Sequence, residues 1–187
     1  KRERWYCVGF NKKVDFQFPK GDVNILPKLK DIIEDNFDSK LRLSDFEIER
    51  INFHFSNSSE TERVLHDNSK YAPNTKKGKH GVYSFQKADY SLRFHVGDLS
   101  KTQIQEAFYA CLETYAPTII ANRVPKLWDI ERKLSVLESK RLQSFPDKFI
   151  FPVSDNQSYK QLGNSVTVNV IESIMQQMLE SYYHENI

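Results

Sequence analysis

The chain has 187 residues, of which 39% are hydrophobic and 28% are charged, so it is long enough to bury one good core or two small ones and is not a disordered protein. Its formal net charge is only +2, so composition does not indicate a nucleic-acid binder, and any DNA footprint must come from local clusters of Lys and Arg. The longest apolar run is far too short to span a membrane, and residues 1–5 lack the layout of a signal peptide, which favours a cytoplasmic protein.

The first part of the chain is predicted to contain one buried strand and two short helices. Trp5–Phe10 is apolar on both faces, which is typical of a strand inside a sheet, but this segment alone cannot supply that sheet. Periodic apolar residues predict a helix over about 26–33, and Ser44, with a glutamate three positions later, predicts another through Ile51. Residues 56–79 are polar and are predicted to form a long exposed loop.

The middle of the chain is predicted to contain a hairpin and then a helix. Alternating residues over 82–96 predict a β-hairpin. A capping box at Ser100 and a stripe of apolar residues at helical spacing predict an amphipathic helix that ends before Pro117. Residues 118–121 are predicted to form a short buried strand, and residues 122–131 a basic loop.

Two helices are predicted near the end of the chain. Ser135 and Glu138 make a capping box, and the helix that follows should stop at Phe145-Pro146. A last helix is predicted over about Thr167–Tyr183, with apolar residues on one side.

The cysteines and histidines do not indicate a metal site. Cys7 and Cys111 have neither metal-ligand spacing nor the pattern of a disulfide framework, so both are predicted to be buried, reduced thiols. The five histidines show no zinc-type spacing.

Three blocks of sequence stand out for their residue patterns. They are Arg2-Glu3-Arg4 before the apolar strand, residues 132–147 with Arg141-Leu142-Gln143 and Phe145-Pro146-Asp147, and Tyr159–Val166 before the last helix. In this order they resemble the eighth, ninth and tenth motifs of bacterial-type DNA (cytosine-5) methyltransferases. The ninth block departs from the family at four positions, where the common residues are Arg, Cys, Ala and Gly: Leu137, Ser139, Lys140 and Ser144.

The resemblance implies an α/β fold in two parts. A mixed α+β target-recognition domain is joined to a strand and a C-terminal helix that belong to a Rossmann-like, S-adenosylmethionine-dependent methyltransferase domain absent from this chain. Residues 1–11 would be the strand segment of the catalytic domain. Residues 12–150 would form the target-recognition domain, including the ninth motif, and residues 151–187 the tenth motif and the helix that returns to the catalytic domain.

Arg2 and Arg4 are the candidate catalytic residues, in a supporting role. In the family, the target cytosine is flipped out of the duplex and a thiolate adds to carbon 6, so negative charge develops on the ring. The resemblance makes Arg4 the predicted contact to the charged base and Arg2 its support, because a guanidinium presents paired donors without losing its proton. From the residues alone, a solvated charged strand end remains the alternative.

Asn164, Ser165 and Val166 are the candidate cofactor-binding residues. The segment Gly163–Val166 combines a flexible backbone with cap-type side chains at a predicted helix start, where backbone amides attract carboxylates. The resemblance implies that these residues bind the methionine end of S-adenosylmethionine. The alternative is a plain helix N-cap after a glycine turn.

The candidate DNA contacts are spread along the chain. Gln86 and Arg93, on the predicted hairpin, have side chains suited to base edges, and Thr118, in a Pro-Thr-Ile stretch, would by resemblance lie near the flipped nucleotide. Basic residues of this kind are often only solvated surface, and the hairpin could equally be packing scaffold. Arg132 is assigned to joining the recognition domain to the rest and not to base reading. The predicted contacts are Lys76, Lys77, Lys79, Gln86, Arg93, Thr118, Arg123 and Arg132, with His80 and Lys126 as additional phosphate candidates.

The sequence contains no Pro-Cys nucleophile, no Glu-Asn-Val motif and no Gly-rich cofactor turn. The resemblance implies that the intact protein is a DNA (cytosine-5-)-methyltransferase of a restriction-modification system in the bacterial cytoplasm, and the absence of these motifs predicts that this piece alone is inactive. Its partners would be double-stranded DNA and an N-terminal catalytic half, with no membrane and no metal. The alternatives are a separate DNA-recognition subunit without catalysis of its own, and a structural α+β domain, for which the motif blocks would be coincidence.

Overall fold

The computed structural model describes most of the chain, and its residues cluster into two compact units. The described residues are 4–21, 28–56, 64–67, 80–86, 92–98, 105–113, 119–121 and 124–184. The first unit lies within 1–26, 118–123 and 136–187, and the second within 27–117 and 124–135. The domain boundaries predicted at residues 11 and 150 stay predictions, although residues 136–150 cluster with the first unit.

The second unit is built on a six-stranded sheet whose strands follow chain order. The strands are β1 (Val64–Asp67), β2 (His80–Gln86), β3 (Leu92–Asp98), β4 (Gln105–Ala110), β5 (Lys126–Leu127) and β6 (Arg132–Lys133). Neighbouring strands are antiparallel except β4 and β5, which are parallel. The hairpin predicted over 82–96 is confirmed as β2 and β3, which pair from His80 with Asp98 to Gln86 with Leu92.

The helix α1 and two 3₁₀ helices complete the second unit. The 3₁₀ helices are Leu29–Ile32 and Ser39–Leu41, and α1 is Asp45–Ser56. The capping box predicted for α1 is confirmed, because the Glu47 amide donates to the Ser44 hydroxyl at 3.3 Å and the Ser44 amide to the Glu47 carboxylate at 3.4 Å. The core lies between these elements and β4 to β6, and its buried aliphatic residues are Leu29, Leu41, Leu43, Ile51, Leu127 and Leu134.

Three predictions in this part of the chain were wrong. The helix predicted before Pro117 is the strand β4, because hydrogen bonding to β3 and β5 outweighs the local helical pattern. The polar loop predicted over 56–79 contains β1, and the basic loop predicted over 122–131 contains β5. In all three places, the strand is set by pairing with other strands, which the local pattern of residues does not reveal.

The helices that the structure describes in the first unit lie in the last third of the chain. They are α2 (Val136–Leu142), α3 (Asp155–Asn164) and α4 (Val168–His184). The predicted last helix is confirmed to within one residue at each end. The predicted helix at Ser135 is also confirmed, and α2 ends before Phe145-Pro146 as expected.

Residues 4–21 run as a segment without regular structure along the first unit. Trp5–Phe10 was predicted to form a strand, but these residues have no regular secondary structure. Phe10 stacks against Tyr182 of α4 with ring centroids 6.4 Å apart, and Lys12 donates to the Tyr182 carbonyl at 3.1 Å. Cys7 is exposed, so its predicted burial is wrong, whereas Cys111 is buried as predicted.

Candidate functional site at the corner between α3 and α4

The turn between α3 and α4 is held by its own backbone and by the serine within it. Helix α3 ends at Asn164 and α4 begins at Val168, so residues 165–167 make the connection. The Ser165 amide donates to the carbonyl of Gln161 at 2.9 Å, and the Ser165 hydroxyl donates to the carbonyl of Leu162 at 2.8 Å. These bonds satisfy carbonyls at the end of α3 that would otherwise lack partners. We refer to residues 162–168 as the corner.

The corner differs from the helix start that the sequence predicted. Gly163 and Asn164 belong to the last turn of α3, and α4 begins two residues beyond Val166. The Ser165 amide is bonded to α3 carbonyls, and the Val168 amide donates to the Gln143 carbonyl at 2.9 Å. The predicted reason for carboxylate binding, open amides at a helix start, therefore does not hold for Gly163 and Asn164, which end α3, or for Ser165, whose amide is already bonded.

Gly163 lets α3 lie directly against another part of the chain. It is buried, and a Cβ atom built at this position would lie 2.3 Å from the amide nitrogen of Ala121 and 2.5 Å from the carbonyl carbon of Ile120. These contacts are with backbone atoms, which cannot turn aside as a flexible side chain can. Only glycine fits here without a backbone shift, so the tenth block and residues 120–121 are packed closely together.

The Arg4 side chain reaches the corner from the far end of the sequence. Its guanidinium donates to the carbonyl oxygen of Ser165, across 161 residues of chain. Arg4 is half-buried. A guanidinium has five N–H donors, so a bond to one carbonyl leaves donors for a further acceptor. The contact brings together the first and third of the sequence blocks.

Gln143 holds the corner from the side of α2. Its side-chain amide donates to the Leu162 carbonyl at 3.2 Å, and its side-chain oxygen accepts from the Thr167 hydroxyl at 3.1 Å. With the bond from the Val168 amide to its backbone carbonyl, Gln143 contacts both the end of α3 and the start of α4. The second and third blocks therefore also meet at the corner.

An open concavity of about 900 Å³ lies along the corner and the first turns of α4. The three predicted cofactor-binding residues all line it, and most of the other lining side chains are apolar. Met175 and Leu179 are more than half exposed on this face of α4. The lining residues are Phe145, Asn164, Ser165, Val166, Val168, Ile171, Glu172, Met175, Gln176 and Leu179.

The segment after α2 forms one rim of this concavity and is held by charged groups of α2. Lys140, which is only 7% exposed, donates to the carbonyls of Asp147 and Phe149 at 2.7 and 2.8 Å. Arg141 makes a two-pronged ion pair with the Asp147 carboxylate, with a shortest distance of 2.7 Å. Hydrogen bonding to Arg141 lowers the pKa of Asp147 below its ordinary value, with a smaller contribution from Lys140. Phe145, which lines the concavity, lies within the held segment.

Most of the predicted DNA contacts cannot be assigned a position. Gln86 and Arg93 lie on the neighbouring strands β2 and β3, where the register pairs Gln86 with Leu92 and Arg93 with Phe85. Six of the predicted site residues lie outside the described residues: Arg2, Lys76, Lys77, Lys79, Thr118 and Arg123.

Arg132 and Lys126 are described, and both interact within the second unit. Arg132 is 1% exposed, with its guanidinium carbon 4.6 Å from the ring centroid of Phe37, so a DNA contact would require these groups to open. Lys126 is ion-paired with Glu47. Burial is the largest single influence on the pKa of Glu47 and raises it, but the hydrogen bond and charge of Lys126, the Ser44 amide and the charge of Lys133 together outweigh burial, so the pKa is lowered overall. Lys126 is thus a weaker candidate for a phosphate contact than its sequence context suggested.

Sequence reasoning missed the roles of Gln143, Gly163 and Thr167 at this site. Gln143 was noted only as part of the ninth block, and its partners lie 19 to 24 residues further along the chain. Its position between two helix ends gives no sequence signal. The Gly163 contact has one weak signal, a glycine at a position where helix propensity disfavours it.

The described part of the chain contains no group of three or more His, Cys, Asp or Glu side chains that could hold a metal ion. Within that same part, no helix is long and apolar enough to cross a membrane.

The site can now be compared with known proteins. The profile of the family C-5 cytosine-specific DNA methylase matches residues 1–180. The type II methyltransferase M.DsaV of Dactylococcopsis salina is 32% identical over 183 residues, which are 96% of this chain and 43% of that protein. The type II methyltransferase M1.ScrFI of Lactococcus lactis subsp. cremoris is 32% identical over 184 residues, 96% of this chain and 39% of that protein.

Among solved structures, the Entamoeba histolytica methyltransferase EhMeth matches 96% of this chain and 46% of its own, with 14% identity and a TM-score of 0.37. That similarity is too low to carry a fold argument, so the sequence comparisons decide the assignment. The chain belongs to the C-5 cytosine-specific DNA methylase family. It spans about two fifths of the length of the curated relatives it matches.

Proposed function

We propose that this chain is the C-terminal, target-recognising part of a DNA (cytosine-5-)-methyltransferase, which transfers a methyl group from S-adenosylmethionine to carbon 5 of cytosine in duplex DNA. The relatives named above are bacterial type II methyltransferases, which supports a role in a restriction-modification system of the bacterial cytoplasm. The observation that carries the proposal is the contact between Arg4 and the Ser165 carbonyl. This contact brings the first and third sequence blocks, which lie near opposite ends of the chain, together in one site.

The corner fits the proposed cofactor in size and chemistry. A concavity of about 900 Å³ is within the range of small-molecule sites, and its apolar lining suits an adenine ring and a methionine chain. Asn164, Ser165, Glu172 and Gln176 add polar groups to that lining. We assign Asn164, Ser165 and Val166 to holding the cofactor, which when bound supplies the activated methyl group.

Arg4 is assigned to stabilising charge on the target base. Attack on carbon 6 of cytosine pushes negative charge towards the ring nitrogen 3 and the 2-oxo group, and a fixed cationic donor lowers the energy of that state. The bond to Ser165 fixes the Arg4 guanidinium in advance, so no reorganisation is required when the charge develops. Its remaining donors are then available to a flipped-out base.

The sheet of the second unit is assigned to DNA recognition. A two-stranded ribbon fits the major groove, and Gln86 and Arg93 stand on the adjacent strands β2 and β3. Lys76, Lys77, Lys79, Thr118 and Arg123 remain proposed contacts to DNA.

The attacking thiolate and the general acid are assigned to a catalytic part outside this sequence. Cys111 is buried in the second unit, and neither cysteine follows a proline. The catalytic part is either the N-terminal half of the same polypeptide or a separate subunit that this chain would serve as its recognition subunit.

Methyl transfer from labelled S-adenosylmethionine to duplex DNA tests the proposal. We expect no incorporation by this chain alone and incorporation at cytosine carbon 5 once it is joined to or mixed with its catalytic part, which we call the reconstituted enzyme. The catalytic part alone is the control. Equal incorporation with and without this chain would contradict the proposal, as would activity of this chain by itself.

A further inference from the structure

We infer that Gln143 is a positioning residue for methyl transfer, which keeps the corner in the form that both the cofactor site and Arg4 require. The inference rests on the proposed function. It assigns to Gln143 a role towards the cofactor that is separate from general support of the fold.

The first step of the argument is that Gln143 fixes both ends of a very short connection. Only residues 165–167 separate α3 from α4. Gln143 donates to the carbonyl of Leu162, which precedes the connection. It accepts from the hydroxyl of Thr167, the last residue of the connection, and from the amide of Val168, the first residue of α4. With both ends held by one residue, the path of the three residues between them is restricted.

The second step is that those three residues carry the groups that matter. Ser165 and Val166 line the concavity, and the Ser165 carbonyl is the acceptor for Arg4. A change in the path of the corner would therefore alter the cofactor site and the anchor of the base-binding arginine together. Gln143 does not line the concavity, so its effect on the cofactor must act through the corner.

The third step is that a carboxamide suits this position chemically. Its NH₂ group donates to Leu162 while its oxygen accepts from Thr167, and no other side chain of this length offers both roles without a charge. Methionine has a similar length but a sulfur that is at best a weak acceptor. Gln143→Met thus removes both side-chain bonds while roughly keeping the volume.

The backbone of Gln143 is itself held in place. Its amide donates to the Lys140 carbonyl at 2.9 Å, and Ser144 closes the end of α2 with a bond to the Arg141 carbonyl at 2.9 Å. Lys140 and Arg141 also hold the segment that follows. The side chain therefore projects from a fixed base, which is the requirement for a residue that positions others.

The experiment measures cofactor binding directly in the reconstituted enzyme. Titration calorimetry with S-adenosylmethionine gives the dissociation constant, thermal unfolding without ligand gives the stability, and steady-state methylation gives KM and kcat. We expect Gln143→Met to weaken cofactor binding about tenfold, because the corner is ordered only part of the time once two hydrogen bonds are lost. KM for S-adenosylmethionine should rise by the same factor, while kcat at saturating cofactor changes less than threefold, because bound cofactor orders the corner again and with it the Ser165 carbonyl that anchors Arg4.

Thr167 provides an independent test from the other side of the same contact. Thr167→Val removes the hydroxyl bond to Gln143 and should weaken cofactor binding about threefold, whereas Thr167→Ser keeps the hydroxyl and should bind like the unsubstituted enzyme. The double variant Gln143→Met, Thr167→Val should bind no more weakly than Gln143→Met alone, since both changes remove one shared link. Gln177→Met is the control, because Gln177 lies on α4, does not line the concavity, and donates to the Ser181 hydroxyl of the same helix at 3.5 Å.

The outcomes separate the inference from the proposed function. If the unsubstituted enzyme bound no S-adenosylmethionine, the proposed function would fall and the inference with it. If it bound cofactor but Gln143→Met and Thr167→Val bound equally well, only the role of Gln143 would fall. A loss of thermal stability without a selective rise in the dissociation constant would show a purely structural residue and would likewise overturn the inference. Should Gln143→Met not fold, the comparison of Thr167→Val with Thr167→Ser decides the question.

Discussion

Replacing Gly163 by alanine should destabilise the protein, although alanine is the better helix former. The added Cβ atom would lie 2.3 Å from the Ala121 nitrogen, more than 1 Å inside ordinary contact, and 2.5 Å from both the Ala121 Cα and the Ile120 carbonyl carbon. Overpacking of this kind costs about 3 kcal/mol at the upper end of its usual range, because backbone must move. The gain in helix propensity offsets about 1 kcal/mol. The free energy of unfolding should therefore fall by about 2 kcal/mol.

Urea denaturation of the protein, followed by circular dichroism, gives the measurement. Gly9→Ala is the matched control, because a Cβ atom at Gly9 meets nothing within 4 Å. We expect its unfolding free energy to stay within about 0.5 kcal/mol of the unsubstituted value, as for other open surface positions. If Gly163→Ala proved as stable as Gly9→Ala, the close packing of α3 against residues 120–121 would not be the reason for the glycine.

Four further substitutions test other parts of the molecule. In single-turnover methylation by the reconstituted enzyme, Arg4→Ala should lose about 3 kcal/mol of transition-state stabilisation, which is at least about a hundredfold in rate, while its DNA binding stays nearly unchanged. Lys77→Ala should weaken DNA binding in a salt-dependent way and leave the rate at saturating DNA unchanged. The opposite pattern would contradict the roles proposed for both residues. Ser144 has a left-handed backbone with a φ of 57°. Ser144→Gly should raise the free energy of unfolding in urea by about 0.5 kcal/mol, because the relief of backbone strain exceeds the entropy cost of glycine. A lower free energy of unfolding would contradict that explanation. Hydrogen bonds from Lys28 and Lys30 lower the pKa of Glu113 to about 2 from its usual 4.5. The stabilisation that Glu113→Gln removes should therefore be full above pH 4.5 and vanish as the pH falls towards 2. A difference in thermal unfolding between the two proteins that did not change with pH would exclude the ion pairs as its cause.

Local patterns in the sequence predicted the elements whose stability is local. The last helix and α1 with its Ser44 cap depend on contacts between residues about three or four positions apart, and the hairpin of β2 and β3 pairs residues 6 to 18 positions apart. β4 was predicted as a helix because its apolar residues also fit a 3.6-residue period. What decides it is hydrogen bonding to β3 and to β5, and the partner strand β5 begins 16 residues after β4 ends.

In the candidate site, too, the sequence predicted residues but not the contacts that depend on distant parts of the chain. The resemblance in sequence identified Arg4 and Asn164 to Val166, and these residues do meet at one corner of the first unit. The geometry of the corner was predicted wrongly, since the glycine and asparagine end α3 and do not begin α4. A short run of residues can fit either end of a helix, and which end it occupies depends here on the hydrogen bond from Val168 to Gln143, 25 residues before it.

The division of the chain into two units has a consequence for the order in which they fold. The second unit requires no residue beyond 135, whereas the first unit includes the contact between Lys12 and Tyr182, which are 170 residues apart. During synthesis, the sheet unit is therefore complete while the helices that close the first unit are still being made. Folding of that inserted unit shortens the effective loop between the two ends, and each halving lowers the entropic cost of joining them by about 0.6 kcal/mol. Refolding of the whole chain should accordingly be limited by closure of the helical unit, and a substitution at Lys12 should slow or weaken that last step while leaving the sheet intact.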